Sequence, residues 1–415
     1  MARRRLAGDD EGVDKASVAA AAPARSQKVL RAAALIIPIV VIMVAAGTYW
    51  RKGVAQENAF QTLMEQAATL YQQSLNADEP TARSLLGKAD ELLGQAASAR
   101  PHDVALADLR ASVIRQQDKV DRVERLYQVL RLRSYDNPLT DLRRVVTNGP
   151  DVYVLDSGAD LVYHHRMDDL AESLRPDEGD AVLVRRAQQV GPDVVGELVD
   201  LTWGAAAPSA PAGALLILEG DGLLEYPDSR QLSSLSIGER QRWALPVAVM
   251  GYGGNFYILD PQAGQIFRYR PGEQGYPDPP ELYLAESPQG FLAGAVDMAI
   301  DGYIYVLYAA GDLRKFEGGV PAPFEMAGLD RPFNNPTAIF AARDQQVGYL
   351  YVADAGNRRI VQLEKGGRFV RQLKLSDEGT LNLQDARSIF VDEQSGRLYL
   401  VDKRSLYIAA IPRAQ

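Results

Sequence analysis

An apolar run closing on a turn residue returns through this 415-residue chain at nearly even steps. The runs are Tyr153-Val154-Leu155-Asp156, Leu216-Ile217-Leu218-Glu219, Tyr257-Ile258-Leu259-Asp260, Tyr305-Val306-Leu307-Tyr308, Tyr351-Val352-Ala353-Asp354 and Tyr399-Leu400-Val401-Asp402. Their last residues lie 63, 41, 48, 46 and 48 positions apart. A unit of about 40 to 50 residues with several short strands cannot bury its apolar faces alone, so it stacks on copies of itself. Stacked about an axis, six such units predict a mainly β chain folded as a six-bladed β-propeller.

Each unit repeats one order. An inner strand comes first, as in Val296-Asp297-Met298-Ala299-Ile300, Thr337-Ala338-Ile339-Phe340 and Arg387-Ser388-Ile389-Phe390-Val391. The anchor strand follows a polar turn. After a Gly, Asp or Asn turn comes a third strand, such as Ile266-Phe267-Arg268-Tyr269-Arg270 or Leu313-Arg314-Lys315-Phe316-Glu317. Short alternating runs bounded by turn formers read as antiparallel strands joined by hairpins.

Tyr351-Val352-Ala353-Asp354-Ala355-Gly356-Asn357-Arg358-Arg359-Ile360 resembles the core of an NHL repeat. The other five units keep the apolar strand, lack the Asn-x-Arg, and resemble generic six-bladed, TolB-like blades. The resemblance covers about the last two-thirds of the chain. It implies a ring of four-stranded blades that usually presents a binding surface and only sometimes an enzyme site.

The long first step is filled by two more strand-like runs, Ala181-Val182-Leu183-Val184-Arg185 and Val195-Gly196-Glu197-Leu198-Val199-Asp200-Leu201. They read as the outer strand of blade one and the inner strand of blade two, with Ala205 to Gly213 as an enlarged hairpin loop. A degraded seventh blade is the alternative, but no further anchor run is present. The chain ends at Gln415, just after the third strand of blade six. An upstream strand must complete that blade or leave an open edge. Leu126 to Arg133 alternates suitably, so residues 125–135 are expected to close the ring of a propeller spanning 125–415.

Ala32 to Trp50 is a run of 19 residues without a charge, the length of a membrane-spanning helix. Tyr49 and Trp50 suit the interface, and Pro38 costs little in such a helix. Seven basic residues precede the run, from Arg3 to Arg31, and Arg51 and Lys52 follow it. The balance places the N-terminus in the cytoplasm and the propeller outside it, in a single-pass protein of the cell membrane. A cleavable signal peptide and a buried core helix are the other readings of the run. The tail 1–31 is basic, has no periodic apolar face and reads as disordered.

Residues 53–124 read as a helical spacer. Phe60, Leu63, Met64, Ala67, Leu70, Tyr71 and Leu75 follow helical spacing, as do Leu85, Leu86, Ala89, Leu92, Leu93 and Ala96. Pro80 and Pro101 mark helix starts, and a third helix runs from about Asp103 to Asp121. The spacing fits both a small bundle and a coiled-coil stalk.

Charge narrows the function. Residues 1–52 hold nine basic and four acidic residues, while the whole chain stands at −9, so the remainder carries −14. An acidic domain of that kind argues against nucleic acid. With no cysteine, thiolate metal sites and cysteine nucleophiles are excluded. The only histidines are His102, His164 and His165; the last two are strand neighbours whose side chains leave on opposite faces and cannot share a metal. No Gly-x-x-x-x-Gly-Lys-Ser/Thr loop occurs. Gly251-Tyr252-Gly253-Gly254 reads as a hairpin turn. Asp156, Asp260, Asp354 and Asp402 read as turn-fixing carboxylates.

The expected function is therefore non-catalytic: a membrane-held binding or sensor module that takes a protein, peptide or glycan on the propeller face, with no cofactor. It is similar to the external half of bacterial membrane kinases and phosphatases, without their enzyme, so a signalling role would need a separate partner. One alternative is a propeller lactonase or hydrolase that holds calcium at the channel mouth; another is an envelope assembly platform. The candidate binding residues at the mouth are Asp297, Asn334, Asn335 and Asp385.

Overall fold

The computed structural model describes residues 25–411 apart from 177–180, 205–206, 208–209, 228–229, 274, 289, 342–347 and 377–380; of residues 25–39, 46–48 and 51–53 it describes the helical backbone. The chain divides into two units, 1–114 and 115–415.

The first unit is helical. α1 (Arg25–Ser74), α2 (Glu79–Ala99) and the start of α3 (Val104–Val120) make it up. Pro80 sits in the first turn of α2, where the missing N–H costs no helical bond. Asp103 caps α3, its Oδ1 accepting the Leu106 N–H at 3.0 Å. Ala82, Leu86, Ala89, Leu93 and Ala96 give α2 one buried stripe at helical spacing. Phe60, Ala96 and Leu106 bury one another, so all three helices share a bundle core. The Arg100 guanidinium lies over the Phe60 ring and pairs with Glu57. α1 takes in the apolar run 32–50, whose side chains are only partly described. Among the described residues, no helix is long and apolar enough to cross a membrane. The tail read as disordered lies, to residue 24, outside the described residues.

The second unit is a six-bladed β-propeller. Its inner strands are Leu142–Asn148, Leu198–Gly204, Ala248–Tyr252, Ala295–Ile300, Pro336–Ala341 and Ser388–Asp392. Each pairs antiparallel with the anchor strand that follows it. The anchor strands are buried on both faces because each is sandwiched between two neighbouring blades. In blade one, Tyr153 and Leu155 pack toward blade two while Val152 and Val154 pack toward blade six. This two-sided burial makes the anchors continuous apolar runs rather than alternating ones. An apolar cluster fills each of the six gaps between neighbouring blades. The gap between blades six and one joins Tyr399, Val401 and Ile408 to Leu142, Val145 and Val154, so the ring closes.

The upstream segment behaves differently from a single strand over Leu126 to Arg133. It breaks at Tyr127 and serves two blades. Val129–Ser134 pairs antiparallel with Ser405–Ala410 as the outer strand of blade six. Val123–Leu126 pairs in parallel with Phe369–Leu375 and gives blade five a fifth strand. Two free edges are covered at once, which removes templates for edge-to-edge association. The Gly-rich run ends in a hairpin: Gly253 and Gly254 take φ of +59° and +79° between paired Tyr252 and Asn255. Two left-handed residues in a two-residue loop fit the twist of the flanking strands.

Candidate functional site

Register aligns the inner strands into layers around the channel. Opposite the next-to-last residue of each anchor run stand Arg144, Asp200, Ala248, Asp297, Ala338 and Ser388. Blades two, four and six carry an acceptor in this layer, and each uses it on the following blade. Asp200 Oδ2 accepts the Val249 N–H at 2.9 Å, Asp297 Oδ2 the Ile339 N–H at 2.9 Å, and Ser388 Oγ the Val145 N–H at 3.3 Å.

Arg144 fills the centre of that layer. It donates from Nε and Nη2 to the two oxygens of Asp200 at 2.7 and 2.9 Å, and from Nη1 and Nη2 to those of Asp297 at 3.1 and 2.7 Å. Burial pulls its pKa down, but the fields and hydrogen bonds of Asp200 and Asp297 outweigh that and hold it well above the ordinary arginine value.

One position earlier, the strand ladders of blades one, two, four and five shift register, leaving Arg143, Val199, Val296 and Thr337 without a cross-strand partner. A bulge re-aims a side chain at its own position, and here both Arg143 and Arg144 reach the same space. That space is a pocket of about 320 Å³ at the start of the inner strands. Its lining includes Arg143, Arg144, Val247, Val296, Asp297, Thr337 and Arg387, with Asp141 and Asn335.

Asp141 is held through its backbone. Its N–H donates to Asp156 Oδ1 at 2.9 Å, and its carbonyl accepts from the Ser157 N–H and hydroxyl, both at 3.1 Å. Its Oδ1 is buried without a hydrogen bond and lies 3.9 Å from Nη2 of Arg387. Arg143 donates from Nη2 to the Val247 carbonyl at 2.6 Å, while its Nε is buried without an acceptor.

Of the four residues singled out in the sequence, Asp297 and Asn335 line the pocket. Asn334 instead serves a turn: its N–H donates to Asp354 Oδ1 at 2.8 Å and its carbonyl accepts from Gly356. Asp385 is exposed in the short turn Leu383–Asp385 and is not part of the pocket wall. Asp141, Arg143, Arg144, Asp200 and Arg387 escaped the sequence reading. The available signal was the adjacent Arg143-Arg144 pair at the head of an inner strand, two cations in a row where the equivalent pairs of the other blades hold one charge or none.

The turn aspartates work locally. Asp156 Oδ1 also accepts the Ala159 N–H, Asp260 accepts from Ala244, Leu245 and Ala263, and Asp402 Oδ1 from Arg404 and Ser405. His164 pairs with Asp151 at 2.7 Å, and His165 meets the Tyr135 hydroxyl at 2.8 Å on the other face. The residues here do not fit a calcium ion. Both channel carboxylates are already on a guanidinium and on backbone N–H groups, and no metal-holding group of three or more His, Asp or Glu occurs among the described residues.

Compared with protein-family models and with curated proteins, the sequence matches none. Solved structures do match. A gluconolactonase from Xanthomonas campestris is 13% identical, over 68% of this chain and 89% of that one, with a TM-score of 0.45. A streptogramin B lyase is 10% identical over 69% and 98%, with a TM-score of 0.41. The PQQ-bound aldose sugar dehydrogenase from Streptomyces coelicolor is 14% identical over 68% and 98%, also at 0.41. Likeness at this level concerns the fold alone. The chain is a six-bladed propeller, and the finer NHL assignment from residues 351–360 has no family model behind it. The expectation that the chain is not an enzyme is corrected to this extent: a lactonase, a lyase and a dehydrogenase stand among the like-folded structures, so the fold itself does not argue against catalysis.

Proposed function

We propose that the chain is a hydrolase-type propeller enzyme whose site is the channel-mouth pocket, acting on a small ester or lactone without a metal. The observation that carries this reading is Asp141: a half-exposed side chain with one oxygen buried and without a hydrogen bond, 3.9 Å from a guanidinium, at a pocket of about 320 Å³. That volume suits one small molecule. In this reading Asp141 takes a proton from water and the water oxygen adds to the carbonyl carbon. Negative charge gathers on the carbonyl oxygen, where Arg387 and Arg143 oppose it. The ester C–O bond then breaks, and the leaving oxygen takes the proton back from Asp141. The test is hydrolysis of a panel of lactones and aryl esters by the full-length chain, with and without EDTA. Asp141→Asn is expected to lose about a hundredfold or more in kcat/KM, with EDTA having no effect. No turnover across the panel, or full activity in the variant, would overturn the proposal.

The same proposal places the chain in a membrane through residues 32–50, N-terminus in the cytoplasm. It rests on the uncharged run and on the seven basic residues before it. Protease treatment of intact cells is expected to release the propeller; a propeller protected until lysis would refute the topology.

A further inference from the structure

The hydrogen-bond inventory of the pocket is unbalanced toward donors. Asp297 accepts four bonds: Oδ1 from Arg144 and the Met298 N–H, Oδ2 from Arg144 and the Ile339 N–H. Asp200 accepts three, two from Arg144 and one from Val249. These carboxylates have little left to offer a ligand. The guanidiniums have more. Arg144 uses four of its five N–H groups on the two aspartates, leaving one on Nη1. Arg143 has its Nε buried without an acceptor. Arg387 is half-exposed, and Asp141, its ion-pair partner among the described residues, stands at 3.9 Å, beyond hydrogen-bond reach.

The three charges of each sign formally cancel, so net charge does not set the preference. Geometry does: the Asp200 and Asp297 oxygens are occupied, Asp141 stays open as the base, and each of the three guanidiniums keeps N–H groups without an acceptor. Arginine forks match the planar, paired oxygens of an oxyanion. Val247, Ala295 and Val296 supply an apolar side to the pocket, suited to a short carbon chain beside the anionic group.

We infer that the pocket recognises a small molecule carrying an oxyanion, a carboxylate or a phosphate, held by Arg387 together with the free N–H groups of Arg143 and Arg144. This rests on the reading of the pocket as a hydrolytic site and deepens it: the guanidinium cluster that opposes charge on the ester carbonyl oxygen also takes the substrate's own anionic group, while Asp141 addresses the ester.

The probes are malate and inorganic phosphate, titrated into the full-length chain at constant ionic strength with choline chloride as the control. The expected result is saturable stabilisation or calorimetric binding with at least one of the two anions and none with choline chloride. Malate alone identifies a carboxylate site and phosphate alone a phosphate site. Arg387→Gln is expected to weaken the dissociation constant by about tenfold or more, with Arg387→Lys between the two. The half-exposed side chain of Arg387 makes both variants compatible with folding. No saturable binding of either anion, or equal binding in Arg387→Gln, overturns the inference. The two readings fail separately: an anion that binds without any ester turnover leaves the inference standing and removes the hydrolase. Turnover of neutral lactones with no anion binding does the reverse.

Discussion

Nη2 of Arg144, in blade one, lies 2.7 Å from Oδ1 of Asp297, in blade four, the blade opposite it in a ring of six. The same guanidinium holds Asp200 of blade two. A single side chain thus ties the ring across its channel and bridges two carboxylates that also anchor neighbouring strands. All three groups are nearly out of solvent: side-chain exposures are 11% for Arg144, 0% for Asp200 and 2% for Asp297.

Arg144→Met should therefore be far more damaging than the loss of one contact. It leaves two buried carboxylates facing each other without a cation, and breaking a buried pair costs about 3–5 kcal/mol. Urea denaturation measures it. The triple variant Arg144→Met, Asp200→Asn, Asp297→Asn removes the stranded charge and should recover most of the loss. A triple variant no more stable than the single one would show that the network acts by something other than charge balance.

A second buried arginine sits at the edge of the ring. Arg359 donates from Nε to Asp354 at 2.7 Å, pairs with Asp330, and reaches Gln372 and the Arg331 carbonyl. Burial would raise the Asp330 pKa, but Arg359 outweighs it and the carboxyl sits below its ordinary value of 3.8. A depressed folded-state pKa contributes stability that is complete above the ordinary value and lost as pH falls through the folded one. The urea midpoint should accordingly drop on acidification below about pH 4. In Arg359→Met that acid limb should flatten, with overall stability lower by about 3–5 kcal/mol at neutral pH. An unchanged acid limb in the variant would remove Arg359 as its cause.

The outer strand of blade six makes a third case. Leu132 packs into the cluster between blades six and one, whereas Leu130 on the same strand is 51% exposed. Leu132→Asp should lower stability by about 1–2 kcal/mol, part of the transfer cost of a fully buried leucine because this side chain is only half-buried. Leu130→Asp should stay within about 0.5 kcal/mol of the parent. Equal effects at both positions would mean the strand is not docked as described.

These positions differ in how readable they were. The anchor strands could be recognised because both faces are buried, which writes Val152 to Leu155 or Tyr351 to Ala353 as unbroken apolar runs. Turn chemistry was legible for the same local reason: Asp156 and Asp260 bind N–H groups within a few residues. The channel layer was not legible. Arg144, Asp200, Ala248, Asp297, Ala338 and Ser388 share a register position and no chemistry, so no residue pattern announces them. Arg144 and Asp297 meet across 153 residues of sequence, and only ring geometry brings them together. Asn334 and Asp385 failed as pocket residues because proximity to an inner strand does not decide which way a flanking turn faces.

Burial pushes the phenols of Tyr269 and Tyr276 up to about 12. Tyr269 stacks on Phe256 with centroids 4.5 Å apart and accepts a hydrogen bond from Trp243 Nε1 at 2.8 Å; Tyr276 meets the same ring edge-on and donates to the Gly254 carbonyl. A tyrosine whose folded pKa is raised contributes stability that is complete below the ordinary value of 10 and is lost as pH climbs toward the folded one. Ultraviolet difference titration should show these two phenols ionising about two pH units above the ordinary tyrosine value, or together with unfolding. Tyr269→Phe and Tyr276→Phe should each remove one late-titrating phenol and lessen the loss of stability above about pH 10. A single early transition for all tyrosines would contradict the stacked arrangement between blades two and three.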